Sequence, residues 1–166
     1  MVMNKDYKYP DTKAYNYVVK ELESKGVTTR KIAEIAYDLE HNFLPDYTLE
    51  DYEREVISVL HKREVLNNAM VALNLDNLAN QNLLSQPLQE IVEQDSGVFG
   101  VDETLATQIA NIFGSIGVTN YGFVDRTKPR IIGKLDNREG VVNTFIDDIV
   151  GGVASAVAGK LAHRYA

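Results

Sequence analysis

The stretch that most restricts how this chain folds runs from about Asn143 to near His163. Its apolar residues, Phe145, Ile146, Ile149, Val150, Val153, Val157 and Leu161, surround the turn of a helix instead of forming one stripe. A helix of that kind belongs in the middle of a bundle. Along one i, i+4 ridge it reads Asp147, Gly151, Ser155, Gly159, and along the next Asp148, Gly152, Ala156. Rows of small residues let neighbouring backbones come close. The two carboxylates heading those rows are costly there, because each loses water and each repels the other. Two arrangements would relieve them: an exposed first turn, where the helix dipole favours negative charge, or a hard divalent cation such as Mg²⁺.

The remaining segments also carry helical periodicity, and none shows sustained strand alternation. Asp11 is a candidate cap for a helix to about Ser24, closed by Gly26. Thr28 or Thr29 starts a second, and Thr48 with Asp51 resembles a capping box for a third that runs through Leu60 and onward. Glu64 to about Asn80 forms another, Ser85 and Pro87 open a short one, and Asp102 opens one stopped around Gly117. The expected fold is an all-α single-domain bundle of about seven to nine helices around the central C-terminal one, over residues 1–166. Residues 1–92 form its acidic helical part.

Charge and glycine are unevenly spread. Residues 1–96 hold ten Lys/Arg against seventeen Asp/Glu, whereas residues 97–166 hold seven of each, so the first part carries the whole −7. Ten of the eleven glycines lie at residue 97 or beyond. The first part therefore reads as helices with solvated faces, and the second as the tightly packed part. An acidic chain is a poor partner for nucleic acid. Cysteine is absent, which removes disulfides, thiolate metal sites and cysteine nucleophiles. The first residues carry no apolar signal region, so a cytoplasmic location is expected.

The neutral part has only seven acids: Asp102, Glu103, Asp125, Asp136, Glu139, Asp147 and Asp148. Two adjacent pairs, Asp102-Glu103 and Asp147-Asp148, and an Asp three residues before Lys128-Pro129 are an unusual use of so few, and they are candidates to converge. Their pattern resembles a known family. Thr144-Phe-Ile-Asp147-Asp148-Ile-Val-Gly151-Gly152 is similar to the Asp-Asp-Ile-Val-x-Gly motif of the phosphatidylglycerophosphatase A family. Phe123-Val-Asp125-Arg-Thr-Lys128-Pro129 looks like its Asp-x-x-Lys-Pro segment, and Val101-Asp102-Glu103 stands where its Asp-Glu pair falls. The resemblance covers roughly residues 93–165 and points to the small members called low-temperature-requirement protein C.

That resemblance implies a Mg²⁺-dependent phosphatase that removes the phosphate monoester of phosphatidylglycerophosphate to give phosphatidylglycerol. It implies Asp102, Glu103, Asp147 and Asp148 as metal ligands, and Asp125, Lys128 and Asp148 as catalytic residues. Asp125 is a further ligand or the group that orients the attacking water, and Lys128 holds the phosphate as a point charge. Arg126, beside Asp125, is a further phosphate-binding candidate. The partner implied is a phospholipid met by peripheral contact at the inner face of a membrane. Two glycine-rich N-terminal segments of the larger membrane-embedded members are not found in this chain, and Gly122 stands where they carry a basic residue. The competing reading is a non-catalytic helical protein, with a homodimer as one form of it, that keeps the acidic pocket for a metal or small ligand.

Other features are plainer. Arg126, Lys128, Arg130, Lys134 and Arg138, with Asp136 among them, place +4 within thirteen residues, enough to steer a phosphate or touch an anionic leaflet. The stretch Gly117 to Gly122 reads as a helix terminator or as a binding turn, with Thr119 and Asn120 as substrate contacts. His41, His61 and His163 lack metal-ligand spacing.

Overall fold

The computed structural model describes residues 6–165; the first five residues of the N-terminal signal reading lie outside it. Among the described residues every regular element is a helix: α1 Asp11–Ser24, α2 Thr29–Glu40, α3 Leu49–Leu60, α4 Arg63–Asn80, α5 Leu88–Glu93, α6 Val101–Asn111, α7 Ser115–Thr127, α8 Ile131–Asp136 and α9 Ile146–Tyr165. Side-chain oxygens start two of them. Thr28 accepts the Lys31 N–H at the head of α2, and Thr48 and Asp51 close a reciprocal capping box on α3.

Three expectations need correcting. Asp11 is the first residue of α1 and makes no cap; its carboxylate takes two bonds from Arg63 instead, at 2.8 and 2.9 Å. The helix begun at Thr48 ends at Leu60, and a new one starts at Arg63. Gly117 to Gly122 is neither turn nor terminator but the interior of α7. The break lies at Gly114, whose φ of +94° suits glycine. At Gly117 glycine is needed for closeness, because a Cβ there would collide with the Ala110 carbonyl oxygen.

Helix α9 is the axis of the molecule. It is buried on every face from Ile146 to Gly159 and touches α2, α3, α4, α6, α7 and α8. Its small-residue rows divide the work. Gly151 and Gly159 admit α7, at Tyr121, Val124 and Gly117, while Gly152 admits the α6 backbone at Ala106. The acidic first part does keep solvated outer faces, but its inner faces belong to the same core. Val18, Leu22, Ile32, Ile35, Tyr52, Val56, Leu66 and Leu73 join Phe145, Ile149 and Val153 in one apolar cluster.

A Cβ at Gly152 would sit 2.7 Å from the Ala106 carbonyl oxygen and 3.1 Å from its Cα, and backbone cannot yield as a side-chain end can. Gly152→Val is therefore expected to force α6 from α9 at a cost of about 3 kcal/mol. The melting temperature should fall by roughly 10 °C. A value close to the parent's would show that α6 is not held this tightly.

Candidate active site

Asp147 and Asp148 occupy the first turn of α9, and each is only 4% exposed. The solvated-first-turn arrangement is thus excluded. What they meet is the Lys128 ammonium, whose Nζ lies 3.0 Å from Asp147 Oδ2 and 3.5 Å from Asp148 Oδ1. The same nitrogen is 2.9 Å from Asp125 Oδ1 and 4.0 Å from Asp136 Oδ1. Tyr121, one turn before Asp125 on α7, donates its hydroxyl to Asp148 Oδ1 at 3.0 Å. Asp125 and Asp136 are about one-third exposed and Lys128 about one-quarter, so the cluster is closed at α9 and open to solvent at α7 and α8.

Backbone geometry aims the lysine inward. Lys128 ends α7 in the left-handed region at φ +44°, and Arg130 follows at φ +54° across Pro129. Such conformations cost a non-glycine residue about 1–2 kcal/mol, so the surroundings must hold them. The Lys128 ion pairs hold one side. Arg130 holds the other, binding Asp38 through both Nε and Nη2 and Glu34 at 3.3 Å on α2. Gly133 completes the turn, since a Cβ there would press to 2.7 Å from the Lys128 carbonyl oxygen.

Asp102 and Glu103 enter from the first turn of α6. Asp102 is 5% exposed, and its Oδ1 is buried with no hydrogen-bond partner. Its charge is felt at Asp148, and that of Glu103 at Tyr121. Asp95 joins as well, in electrostatic reach of Asp136, Lys128 and Glu103. Four carboxylates therefore lie within 4.0 Å of one ammonium, and Asp95, Asp102 and Glu103 are linked to that cluster by longer-range electrostatics. Among the described residues, no three Asp, Glu or His side chains stand close enough together to hold a metal ion as placed; Lys128 lies between them.

Burial drives the electrostatics. It raises the Asp148 carboxyl, and Asp147 raises it further, while Lys128 and Tyr121 pull it back. Burial likewise raises Asp147 against the pull of Lys128, and raises Asp102 with help from Glu103. For Lys128 burial favours the neutral amine, but Asp147, Asp125 and Asp148 outweigh it and the ammonium is strongly retained. Burial followed by Asp148 and Asp125 pushes the Tyr121 hydroxyl well above its ordinary range, so it stays a donor.

A pH dependence of stability follows. An acid whose folded pKa lies above its unfolded value holds more proton in the folded state, so stability falls as pH rises between the two values. Asp76 (pushed by burial to about 7), Asp102, Asp147 and Asp148 all act in this sense. The carboxylates shifted the other way, Asp11, Glu50, Asp51 and Glu55, are already ionised above their ordinary range. In chelator, urea unfolding should show stability falling from pH 5 to pH 8, by about 1.4 kcal/mol per pH unit for each excess proton. Stability that rises over this interval would contradict the buried, charge-crowded cluster.

The structure brings Asp125, Lys128, Asp147 and Asp148 into contact and leaves Asp102 and Glu103 within electrostatic reach of them. It does not bring Thr119 or Asn120 to them. Thr119 bonds the Ser115 carbonyl of its own helix, and Asn120 serves the buried Glu40. Arg126 is exposed on α7, next to Asp125. Sequence reasoning missed Tyr121, Asp95 and the place of Asp136. The i, i+4 relation of Tyr121 to Asp125 was an available signal; Asp95 offered none.

An all-α protein with carboxylate dyads from two helices around a loop lysine is the class that fold and site define. The chain belongs to the phosphatidylglycerophosphatase A family, whose model matches residues 25–163, well beyond the 93–165 of the motifs. It is 44% identical over 144 residues to the uncharacterized protein YutG of Bacillus subtilis, covering 86% of this chain and 87% of that one. A solved protein of unknown function from Bacillus stearothermophilus superposes with a TM-score of 0.87 at 45% identity, covering 91% of this chain and 99% of that chain. The low temperature requirement C protein of Listeria monocytogenes superposes with a TM-score of 0.88 at 43% identity, covering 92% and 96%. Family membership points to phosphatase-type chemistry. Among the described residues no helix is long and apolar enough to cross a membrane.

Proposed function

We propose that the chain is a Mg²⁺-dependent phosphatase that hydrolyses the phosphate monoester of phosphatidylglycerophosphate to phosphatidylglycerol. The observation that carries this reading is the meeting of Asp125, Asp136, Asp147 and Asp148 on the Lys128 ammonium, with Asp102, whose buried Oδ1 has no partner, in electrostatic reach of Asp148. The donor chemistry suits Mg²⁺, since all of it is hard oxygen and a buried oxygen with no partner is the kind of atom a cation satisfies; the acids would have to close in on the ion as the Lys128 ammonium swings away. Asp102, Glu103, Asp147 and Asp148 would hold the ion, which supplies charge neutralisation and a more acidic water.

The chain's own groups do the rest. Lys128, on a flexible stem and one-quarter exposed, leaves its carboxylates to donate to the non-bridging phosphate oxygens. Arg126 adds a second positive charge at the open side. Asp125, also at that side, orients the attacking water. Tyr121 holds Asp148 in one rotamer through its hydroxyl. The lipid is met from the water side at the cytoplasmic face, where Val98, 94% exposed, and Val101 stand just ahead of Asp102 and offer apolar contact.

The test is phosphate release from phosphatidylglycerophosphate in mixed micelles, with Mg²⁺ or with chelator. Release that needs Mg²⁺ is expected. No release from folded protein at saturating Mg²⁺ would overturn the enzyme reading and leave only a ligand-binding protein.

A further inference from the structure

Asp76 lies on α4, in the first part of the chain, and is fully buried. Its two oxygens accept the consecutive N–H groups of Phe145 and Ile146, at 3.0 and 2.9 Å. Those are the residues at which α9 begins, and the next two are Asp147 and Asp148. A helix start leaves its first N–H groups without partners inside the helix. Here the missing acceptor comes from a different helix, 69 and 70 residues away in sequence. One turn further along α4, Asn80 grips the same segment, donating to the Val142 carbonyl at 2.8 Å and accepting the Val142 N–H at 2.9 Å. Thr144 donates to the Val92 carbonyl and Asn143 to the Leu135 carbonyl, so the entry to α9 is tied on several sides. Asp76 is the group among these that reaches the helix start itself.

We infer that Asp76 is a positioning residue for the candidate active site: by fixing where α9 begins, it sets where Asp147 and Asp148 stand. An acceptor of another kind would satisfy a helix end as well, but a carboxylate gives two oxygens on one rigid plane, and two adjacent N–H groups fix the helix both along and about its axis. The catalytic consequence rests on the phosphatase reading; the placement of the acids does not.

Asp76→Asn keeps the shape and one acceptor while the other oxygen becomes a donor facing an N–H. Amide exchange at residues 145–148 should rise about tenfold or more relative to core amides of α2, at a temperature where both proteins are fully folded. Under the same conditions kcat for phosphate release should fall about 10- to 100-fold with KM nearly unchanged. A merely structural role would lower the melting temperature and leave turnover per folded molecule alone. Unchanged exchange at 145–148 would overturn the inference, as would unchanged kcat alongside raised exchange. Should the parent protein show no turnover, the phosphatase reading falls and exchange at Asp147 and Asp148 alone decides the placement. Should Asp76→Asn fail to fold, Asp76→Glu carries the same measurements.

Discussion

Replacing Lys128 with methionine should be the most damaging single change in the chain. The ammonium is the charge that Asp125, Asp136, Asp147 and Asp148 share. Methionine fills similar space without it, and the buried acids are left with each other. Breaking a buried ion pair from one side costs about 3–5 kcal/mol. The acids have one escape, which is to bind protons, and that shapes the result. Near pH 5 the carboxyls that burial already holds high take up protons easily, and the loss should be small. Near pH 8 the loss should approach its full size. Urea unfolding of Lys128→Met and the parent, in chelator at both pH values, measures this. A loss below about 1 kcal/mol at pH 8 would mean that the lysine behaves as an ordinary surface charge. Phosphate release should vanish as well, because the group proposed to meet the substrate phosphate is gone. Arginine should not rescue it: its planar fork does not fit a pocket built around a single nitrogen.

Asp148→Asn should separate function from stability. The asparagine oxygen can still accept the Tyr121 hydroxyl, and the repulsion that Asp147 exerts on a charge at position 148 is removed. Stability at pH 8 in chelator should hold or rise by about 1 kcal/mol. Turnover with Mg²⁺ should fall on the order of 100- to 1000-fold, the scale for removing an electrostatic element of a catalytic centre. Retention of full activity would take Asp148 out of the chemistry. The opposite signs expected for these two substitutions share one cause. The carboxylates are an electrostatic burden and Lys128 relieves it; on the proposed phosphatase reading, the site uses acids where packing alone would choose apolar side chains.

The local rules legible in the sequence were those that act within a turn or two. Thr28 and Thr48 cap because a hydroxyl reaches three residues ahead, and α9 is central because its apolar residues leave no face for water. Gly117 misled for a physical reason: glycine serves tight turns and close backbone contacts equally well, and only the proximity of Ala110 shows which applies. The acid dyads could be picked out because acids are few in an apolar, glycine-rich stretch, and the family resemblance supplied their order. Asp95, Asp136 and Asp76 could not be read this way. Each acts through partners far off in sequence: Asp95 through Lys128 and Glu103, Asp136 through Lys128, and Asp76 through the start of α9. The acidic first part, which the motifs do not touch, turns out to supply the clamp on which the site stands.

A crystal of the parent protein soaked in Mn²⁺, a stand-in for Mg²⁺ with an anomalous signal, interrogates the metal centre most directly. A peak bounded by Asp102, Glu103, Asp147 and Asp148, with the Lys128 ammonium moved off Asp147, is the expected result. A soaked crystal in which that space stays empty and Lys128 keeps its contacts to Asp125 and Asp147 would contradict it.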